Sequence, residues 1–417
     1  MIRFDLARQR RLVLGVVVLA VSAALIFAAV QAPKPANEDV RVPSAGIKPS
    51  IHWRATKPEV VGLKSGALDE LIGKLAGAET SAFLLAKDGL LVREWYADGV
   101  DANTPLSVAS LAKALVGSIL LAVALDVDAA ELNDAAGVFI PEWNDQTLKS
   151  TVTLRQLANH TAGFEEGYWG RDGPTSAWHE DFHQDREARF ELAIQEAPLR
   201  FPPGSRVHYS GVGYYALAYA IAAALADRGY LDGADLLRRR VMLPLGVPDD
   251  SWDISYGESY RSSGLRLYAI GSGARFTARA VGRLGELVLL EGNWRGRQLI
   301  RRESVLAITR PEPSVNGRGR PSGGNKSSPT PVATVGWWSN ANGAWPSLPS
   351  DSIVGLGANH QVLLIVPSSN LVVVRLGAAL GGSHWGPGYW RELEESFMTP
   401  VSRAVGLGPA RRTISKR

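Results

Sequence analysis

Ser110-Leu111-Ala112-Lys113 is the only Ser-x-x-Lys in the chain, and on a helix it sets a hydroxyl and an amine one turn apart on one face. A serine hydroxyl is a weak nucleophile until a neighbouring base takes its proton. A lysine serves as that base when desolvation or nearby cations lower its pKa. The pair therefore points to acyl transfer through a covalent intermediate on Ser110. Spacing alone is weak evidence, because a chain of this length yields about one such match by chance. The plain alternative makes Ser110 a helix cap and Lys113 a solvated charge. A second constellation, His179-Glu180-Asp181-Phe182-His183, matches His-Glu-x-x-His, which on a helix turns two imidazoles to one face for zinc and leaves the glutamate as base. Asp181, Gln184, Asp185 and Arg186 make that segment polar, and a loop carrying Gly167, Gly170, Gly173 and Pro174 precedes it. It reads as a solvated helix start beside the cleft, and no metal is expected. No cysteine occurs in the 417 residues, which excludes disulfides, thiolate metal sites and a cysteine nucleophile.

The elements that must position Ser110 follow from hydrophobic periodicity. Leu111, Leu115, Val116 and Ile119 have helical spacing, so a helix over 111–124 is predicted to start at Ser110, where first-turn N–H groups are free and negative charge is stabilised. Val61 to Ala78 has helical spacing too. Next, Ser81–Ala86 and Leu90–Tyr96 are strand-like runs joined at Lys87-Asp88-Gly89, a hairpin signal. A second pair, Gln361–Val366 and Leu371–Leu376, turns at Pro367-Ser368-Ser369-Asn370, and a helix from Trp390 to about Val405 follows. Helices and long loops fill the interval, with Tyr214–Asp227 and Ala278–Leu290 the clearest helices and residues 311–334 a surface loop. Strands at both ends with helices between them predict an α+β fold. One antiparallel sheet is built from the N- and C-terminal segments, flanked by helices, with a helical region inserted. The cleft between the two parts is the expected site.

Further stretches recur in a fixed order after Ser110 and Lys113. They are Leu157-Ala158-Asn159-His160-Thr161-Ala162-Gly163, Pro203-Gly204-Ser205-Arg206-Val207-His208-Tyr209-Ser210-Gly211, Pro244-Leu245-Gly246, and Gly355-Leu356-Gly357-Ala358-Asn359-His360-Gln361 before a strand. In this order they resemble the serine β-lactamase-related family. That family groups class C β-lactamases, penicillin-binding-protein-like esterases and 6-aminohexanoate-dimer-hydrolase-like amidases, and the resemblance spans nearly all of residues 80–400. It implies a β-lactamase/transpeptidase-like fold, an acyl-enzyme on Ser110, and a proton handled by Lys113 and by Tyr209 of the second motif. Which of the two is the general base stays open. An oxyanion hole would join the Ser110 N–H to one from the edge of the Gln361 strand. Gln361 is the first candidate and His360 the register alternative.

Two departures bear on substrate. Gly211 stands where relatives carry Asn two residues after the tyrosine, and Ala358-Asn359-His360 replaces a Lys-Thr-Gly triplet. Without that amide and that fixed positive charge, β-lactams are expected to be poor substrates and short esters or small amides good ones. His360 could still donate a hydrogen bond or titrate near neutral pH. Tyr168, Trp169, Trp178, Trp337 and Trp338 are candidates for an apolar acyl-binding wall. No cofactor is implied. A non-catalytic cell-wall-peptide binder of the same fold is the alternative, against which the joint presence of Ser110, Lys113 and Tyr209 argues.

Composition bounds the rest. The formal net charge of +4 gathers at the two ends, in Arg3, Arg8, Arg10 and Arg11 and in Arg411, Arg412, Lys416 and Arg417, which is no nucleic-acid footprint. Residues 12–30 form an uncharged, mostly apolar run about as long as a bilayer-spanning helix needs. Residues 1–31 are therefore expected to be a single-pass inner-membrane anchor, or else a cleaved signal peptide. The basic flank keeps the N-terminus cytoplasmic and the catalytic body periplasmic. A Pro-rich linker is expected over residues 32–58, the hydrolase domain over 59–405 and a basic tail over 406–417. Small esters, amides or peptides, and the membrane, are the expected partners.

Overall fold

Strand alternation decides the centre of the fold. In β1 (Thr80–Lys87) Ala82, Leu84 and Ala86 point to one core cluster, while Phe83 and Leu85 point to another. The computed structural model, which describes residues 51–144, 148–165, 177–311, 330–383 and 387–408, pairs β1 with β2 (Leu90–Tyr96) across the predicted turn. β3 (Val332–Ala333), β4 (Trp338–Ser339), β5 (Ile353–Gly357), β6 (Gln361–Val366) and β7 (Leu371–Gly377) come from the C-terminal part. The order across the seven-stranded sheet is β3-β4-β5-β6-β7-β1-β2, every pair antiparallel. The two ends of the chain meet at β1 and β7, as the pattern of strands and helices requires.

Each face of this sheet buries one cluster. On one side lie α1 (Ser65–Ala76), through Leu68, Leu71 and Leu75, and the helical run from Pro387 to Val405, through Leu393, Phe397 and Val401. Against the other side packs α2 (Ala109–Asp126), with α3 (Val212–Leu225) behind it, and so does α4 (Ala278–Leu289). Gly285 lets α4 press on the sheet, since a Cβ there would stand 2.8 Å from both Leu363 and Val372 side chains. α2 is apolar enough to cross a membrane, but here it is a core helix buried on all sides.

Two boundaries differ from expectation. Residues 51–58, read as the end of a linker, belong to the folded body. Ala55 bridges Leu91, the Trp53 indole donates to the Gly89 carbonyl at 3.3 Å, and Arg283 donates to the His52 carbonyl. Val332–Ala333, read as loop, is the edge strand beyond Trp338–Ser339. The anchor over residues 12–30, the rest of the linker before residue 51 and most of the basic tail lie outside the described residues.

Candidate active site

Ser110 sits at the start of α2, directly after Ala109, whose φ of 47° is left-handed. That conformation is uncommon for a residue with a Cβ and marks a sharply turned entry to the helix. The first turn is 3-10 and the next, Lys113–Ser118, is wound as a π-helix. Lys113 is buried, and its Nζ donates to Ser110 Oγ at 3.3 Å and to the Gly271 carbonyl at 2.9 Å. Its ammonium stands 5.0 Å from the Tyr209 ring centre and 5.1 Å from that of Tyr214. The Tyr209 hydroxyl donates to Ser110 Oγ at 2.8 Å. Two side chains, one of them 99 positions away in the chain, thus converge on the Ser110 oxygen.

A residue that the sequence did not single out holds Tyr209 in place. His160 adopts φ 63°, its ring centre lies 4.4 Å from that of Tyr209, and its carbonyl and Nδ1 accept the N–H groups of His208 (2.7 Å) and Ser210 (3.3 Å). The two residues flanking Tyr209 are thereby tied to a single imidazole residue. Burial, and then the charge of Lys113, hold His160 well below the ordinary histidine range, so its ring is neutral and acts as an acceptor. The only sequence signal was its place inside Leu157-Ala158-Asn159-His160-Thr161-Ala162-Gly163, which carries no information on geometry.

The third motif arrives at Ser110 in a different register from the one expected. β5 runs beside the start of α2, so close that a Cβ on Gly357 would lie 2.4 Å from the Val108 carbonyl and 2.9 Å from the Leu111 nitrogen. The next residue, Ala358, lines a cavity of about 560 Å³ that also holds Ser110, Lys113 and Tyr209. Asn359, His360 and Gln361 do not line it. Arg375, fully buried on β7, explains why. Its guanidinium donates to the Asn359 carbonyl at 2.9 Å and the His360 carbonyl at 3.0 Å, turning both inward. Burial lowers this arginine to about 10, and it is satisfied by carbonyls and the Thr80 hydroxyl. Gln361 spends its side chain on Gly377, accepting its N–H at 3.0 Å and donating to its carbonyl at 2.6 Å. The His360 ring is stacked on Tyr389 at 4.3 Å, and its Nδ1 accepts the Leu380 N–H.

The sequence matches the Beta-lactamase family over residues 68–384. The chain belongs to that family. No curated protein matches it. Among solved structures, a Bacillus anthracis protein assigned as a 6-aminohexanoate-dimer hydrolase is similar with a TM-score of 0.61 at 20% identity, covering 85% of this chain and 87% of that one. A penicillin-binding protein homologue from Caulobacter crescentus gives a TM-score of 0.58 at 18% identity over 80% of this chain and 97% of its own. A family VIII carboxylesterase gives 0.55 at 16% identity, over 80% and 98%. At these identities the likeness establishes the β-lactamase/transpeptidase-like fold, within which esterases, amidases and penicillin-binding-protein-like proteins all occur.

For this Beta-lactamase family member the cavity differs from the apolar wall expected. Trp178, Trp337 and Trp338 are buried in the two cores, and none of them lines the cavity. Tyr168 and Trp169 lie outside the described residues. In their place Arg186, Asp253, Tyr256 and Arg275 join Gly211 in the lining. The guanidinium of Arg186 lies 4.2 Å over the Tyr256 ring. The His-Glu-x-x-His segment does form a helix, Ala177–Gln184; among its described side chains Trp178 and Phe182 are buried, and Glu180 is exposed and accepts from Gln184 at 3.0 Å. Among the described residues no cluster of three or more His, Asp or Glu is arranged to hold a metal ion.

Proposed function

We propose that this chain is a serine hydrolase that cleaves small esters or amides through an acyl-enzyme on Ser110. The observation that carries the reading is the placement of Ser110 Oγ within hydrogen-bonding reach of both the Lys113 amine and the Tyr209 hydroxyl, inside a substrate-sized cavity. Ser110 Oγ bonds to the carbonyl carbon and its proton passes to the Lys113–Tyr209 pair. That pair returns the proton to the departing alcohol or amine as the C–O or C–N bond breaks. Water then attacks the acyl-enzyme by the same route and releases the acid. The developing oxyanion is held by the Ser110 N–H, which lies in a helical first turn without an intrahelical acceptor, and by the Ala358 N–H. Ala358 replaces Gln361 in this role because Ala358 lines the cavity, whereas Gln361 lies away from it, paired with Gly357 in the sheet.

β-Lactams remain poor substrates in this reading, because no lysine stands at Ala358 and no amide at Gly211. Loss of one charged hydrogen bond to substrate is commonly worth about 2–5 kcal/mol. The proposal extends to location: residues 12–30 anchor the body on the outer side of the inner membrane, a reading supported by the length of the apolar run and its arginine flank. The test is a panel of p-nitrophenyl esters, D-alanyl peptides, linear amides and nitrocefin, run with Ser110→Ala alongside and a fluorophosphonate probe. Ester or amide turnover that outpaces nitrocefin and vanishes with labelling in Ser110→Ala is expected. Undiminished turnover in that variant would end the serine reading.

A further inference from the structure

Three short strands far apart in the chain build one wall of the cavity. Leu106–Ser107, Arg275–Phe276 and Trp252–Asp253 form a small sheet with the Arg275 strand in the centre, and its register sets Ser107 and Asp253 opposite Arg275 on either side. A hydroxyl, a guanidinium and a carboxylate therefore stand in one row, neighbours about 4.5–5.5 Å apart at Cβ, and all three line the cavity that holds Ser110. Nothing in the hydrolytic reading uses them.

Neither charged group of the row is spent. Arg275 donates from Nη2 to the Pro105 carbonyl at 3.1 Å, which leaves its other N–H groups available at the exposed lip. Asp253 is half-buried, and its Oδ1 is shielded from solvent without a hydrogen-bond partner. Among the described residues no hydrogen bond or ion pair joins Asp253 to Arg275, although they face each other across the sheet. Burial raises the Asp253 carboxyl above its usual range, and Arg275 pulls it back only in part. A shielded carboxylate oxygen left without a donor is costly, and a ligand that supplies the donor recovers that cost.

An unspent carboxylate beside an unspent guanidinium is complementary to an ammonium beside a carboxylate. A lone cation or a lone anion satisfies only half of the row, and a neutral amide brings no counter-charge to either side. We infer that the substrate carries a free α-amino acid head group, with its ammonium on Asp253 and its carboxylate on Arg275. Since the amino and carboxyl groups of the head are both occupied there, the bond that Ser110 attacks is joined to it through the amino acid's side chain. This rests on the serine hydrolase reading above and narrows its substrate class to side-chain esters or amides of an amino acid. The head group arrives either on the acyl side, as in a γ-glutamyl amide, or on the leaving side, as in an Nε-acyl-lysine.

Four p-nitroanilides isolate the contacts: γ-glutamyl, glutaryl (no ammonium), 4-aminobutyryl (no carboxylate) and butyryl (neither), with Nε-acetyl-lysine testing the leaving side. The wild-type protein is expected to prefer either γ-glutamyl anilide or Nε-acetyl-lysine over its headless counterpart by about 10–100-fold in kcat/KM for each charged contact made. For the acyl side, Asp253→Asn should erase the advantage conferred by the ammonium and leave that of the carboxylate. Arg275→Gln should do the reverse. The binding arm uses Ser110→Ala, in which chemistry is blocked: γ-glutamyl anilide or Nε-acetyl-lysine should still raise its melting temperature, and adding Asp253→Asn should remove that shift. A headless substrate preferred in the wild type, or a preference ratio that neither variant moves, overturns the inference. Binding that persists when Ser110 proves unreactive to fluorophosphonate would instead refute the catalytic reading while upholding the head-group site.

Discussion

Gly357→Ala isolates the contact that brings the third motif to Ser110. Gly357 has φ −133° and ψ 162°, an extended conformation open to alanine, so backbone strain contributes nothing to the outcome. Space decides it. The added Cβ would stand 2.4 Å from the Val108 carbonyl oxygen and 2.9 Å from the Leu111 nitrogen, both backbone atoms on either side of Ser110. Relief to ordinary contact, about 3.4 Å, requires β5 and the start of α2 to separate by roughly 1 Å, and Ala358 moves with β5. A 1 Å misplacement of catalytic groups costs on the order of 100-fold in rate, and overpacking costs about 1–3 kcal/mol of stability. The assay is kcat and KM on the best p-nitrophenyl ester, with fluorophosphonate labelling rate and a thermal melt. The expected result is kcat down about 100-fold, slower labelling and a folded protein. Gly355→Ala, two residues earlier on β5, is the control. Its Cβ would meet a Leu111 methyl at 2.6 Å and the Ala114 Cβ at 3.0 Å, and because the leucine methyl can swing aside, a loss of no more than about tenfold is expected. Gly357→Ala retaining kcat within threefold, or Gly355→Ala proving the more damaging, would refute the reasoning.

His160→Ala should lower kcat by about 10–100-fold with KM little changed, because Tyr209 loses the ring beside it and Ser210 its acceptor. His160→Asn tolerates the positive φ and keeps an acceptor, so partial recovery is expected, and equal loss in both variants would count against a positioning role. A pH effect is expected away from the site: burial, opposed in part by Arg283, raises Glu286 from 4.5 to about 7. With the folded value above the unfolded one, the stabilisation is full below about 4.5 and is lost as pH rises through about 7. The melting temperature should fall from pH 5 to pH 8, by an amount corresponding to a few kcal/mol at most, and the fall should be absent in Glu286→Gln. A pH slope that the variant leaves unchanged would show that Glu286 is not its source. Cell fractionation checks the anchor: the full chain should pellet with inner membranes and be cleaved by protease only from the outer side. Release of a form beginning near Pro33 would show cleavage instead.

Apolar periodicity was enough for the sheet's central strands and for the helix that begins at Ser110. Gln361–Val366 was legible to the residue, and Leu371–Gly377 beside it and Thr80–Lys87 one strand further to within one, because unbroken apolar runs bounded by turn residues admit little else. Ser110 and Lys113 were legible because a one-turn spacing on an apolar helix is a local property. β5 was not. Ile353-Val354-Gly355-Leu356-Gly357 owes its place to two glycines, which carry no hydrophobic signal and matter only through what they allow to approach. The register of the third motif was likewise beyond reach. It is decided by Arg375, on a neighbouring strand, drawing in the carbonyls of Asn359 and His360 and leaving Ala358 at the cavity. An arginine within Leu-Val-Val-Val-Arg-Leu was the one local hint, since a buried guanidinium must find several acceptors. The cavity wall depended wholly on tertiary structure. Ser107, Asp253 and Arg275 sit on strands of two residues each, too short for any periodicity, and only the packing of the inserted region on α2 places them in one row. Periodicity reports which side of an element is buried. It says nothing about which distant element will be found there.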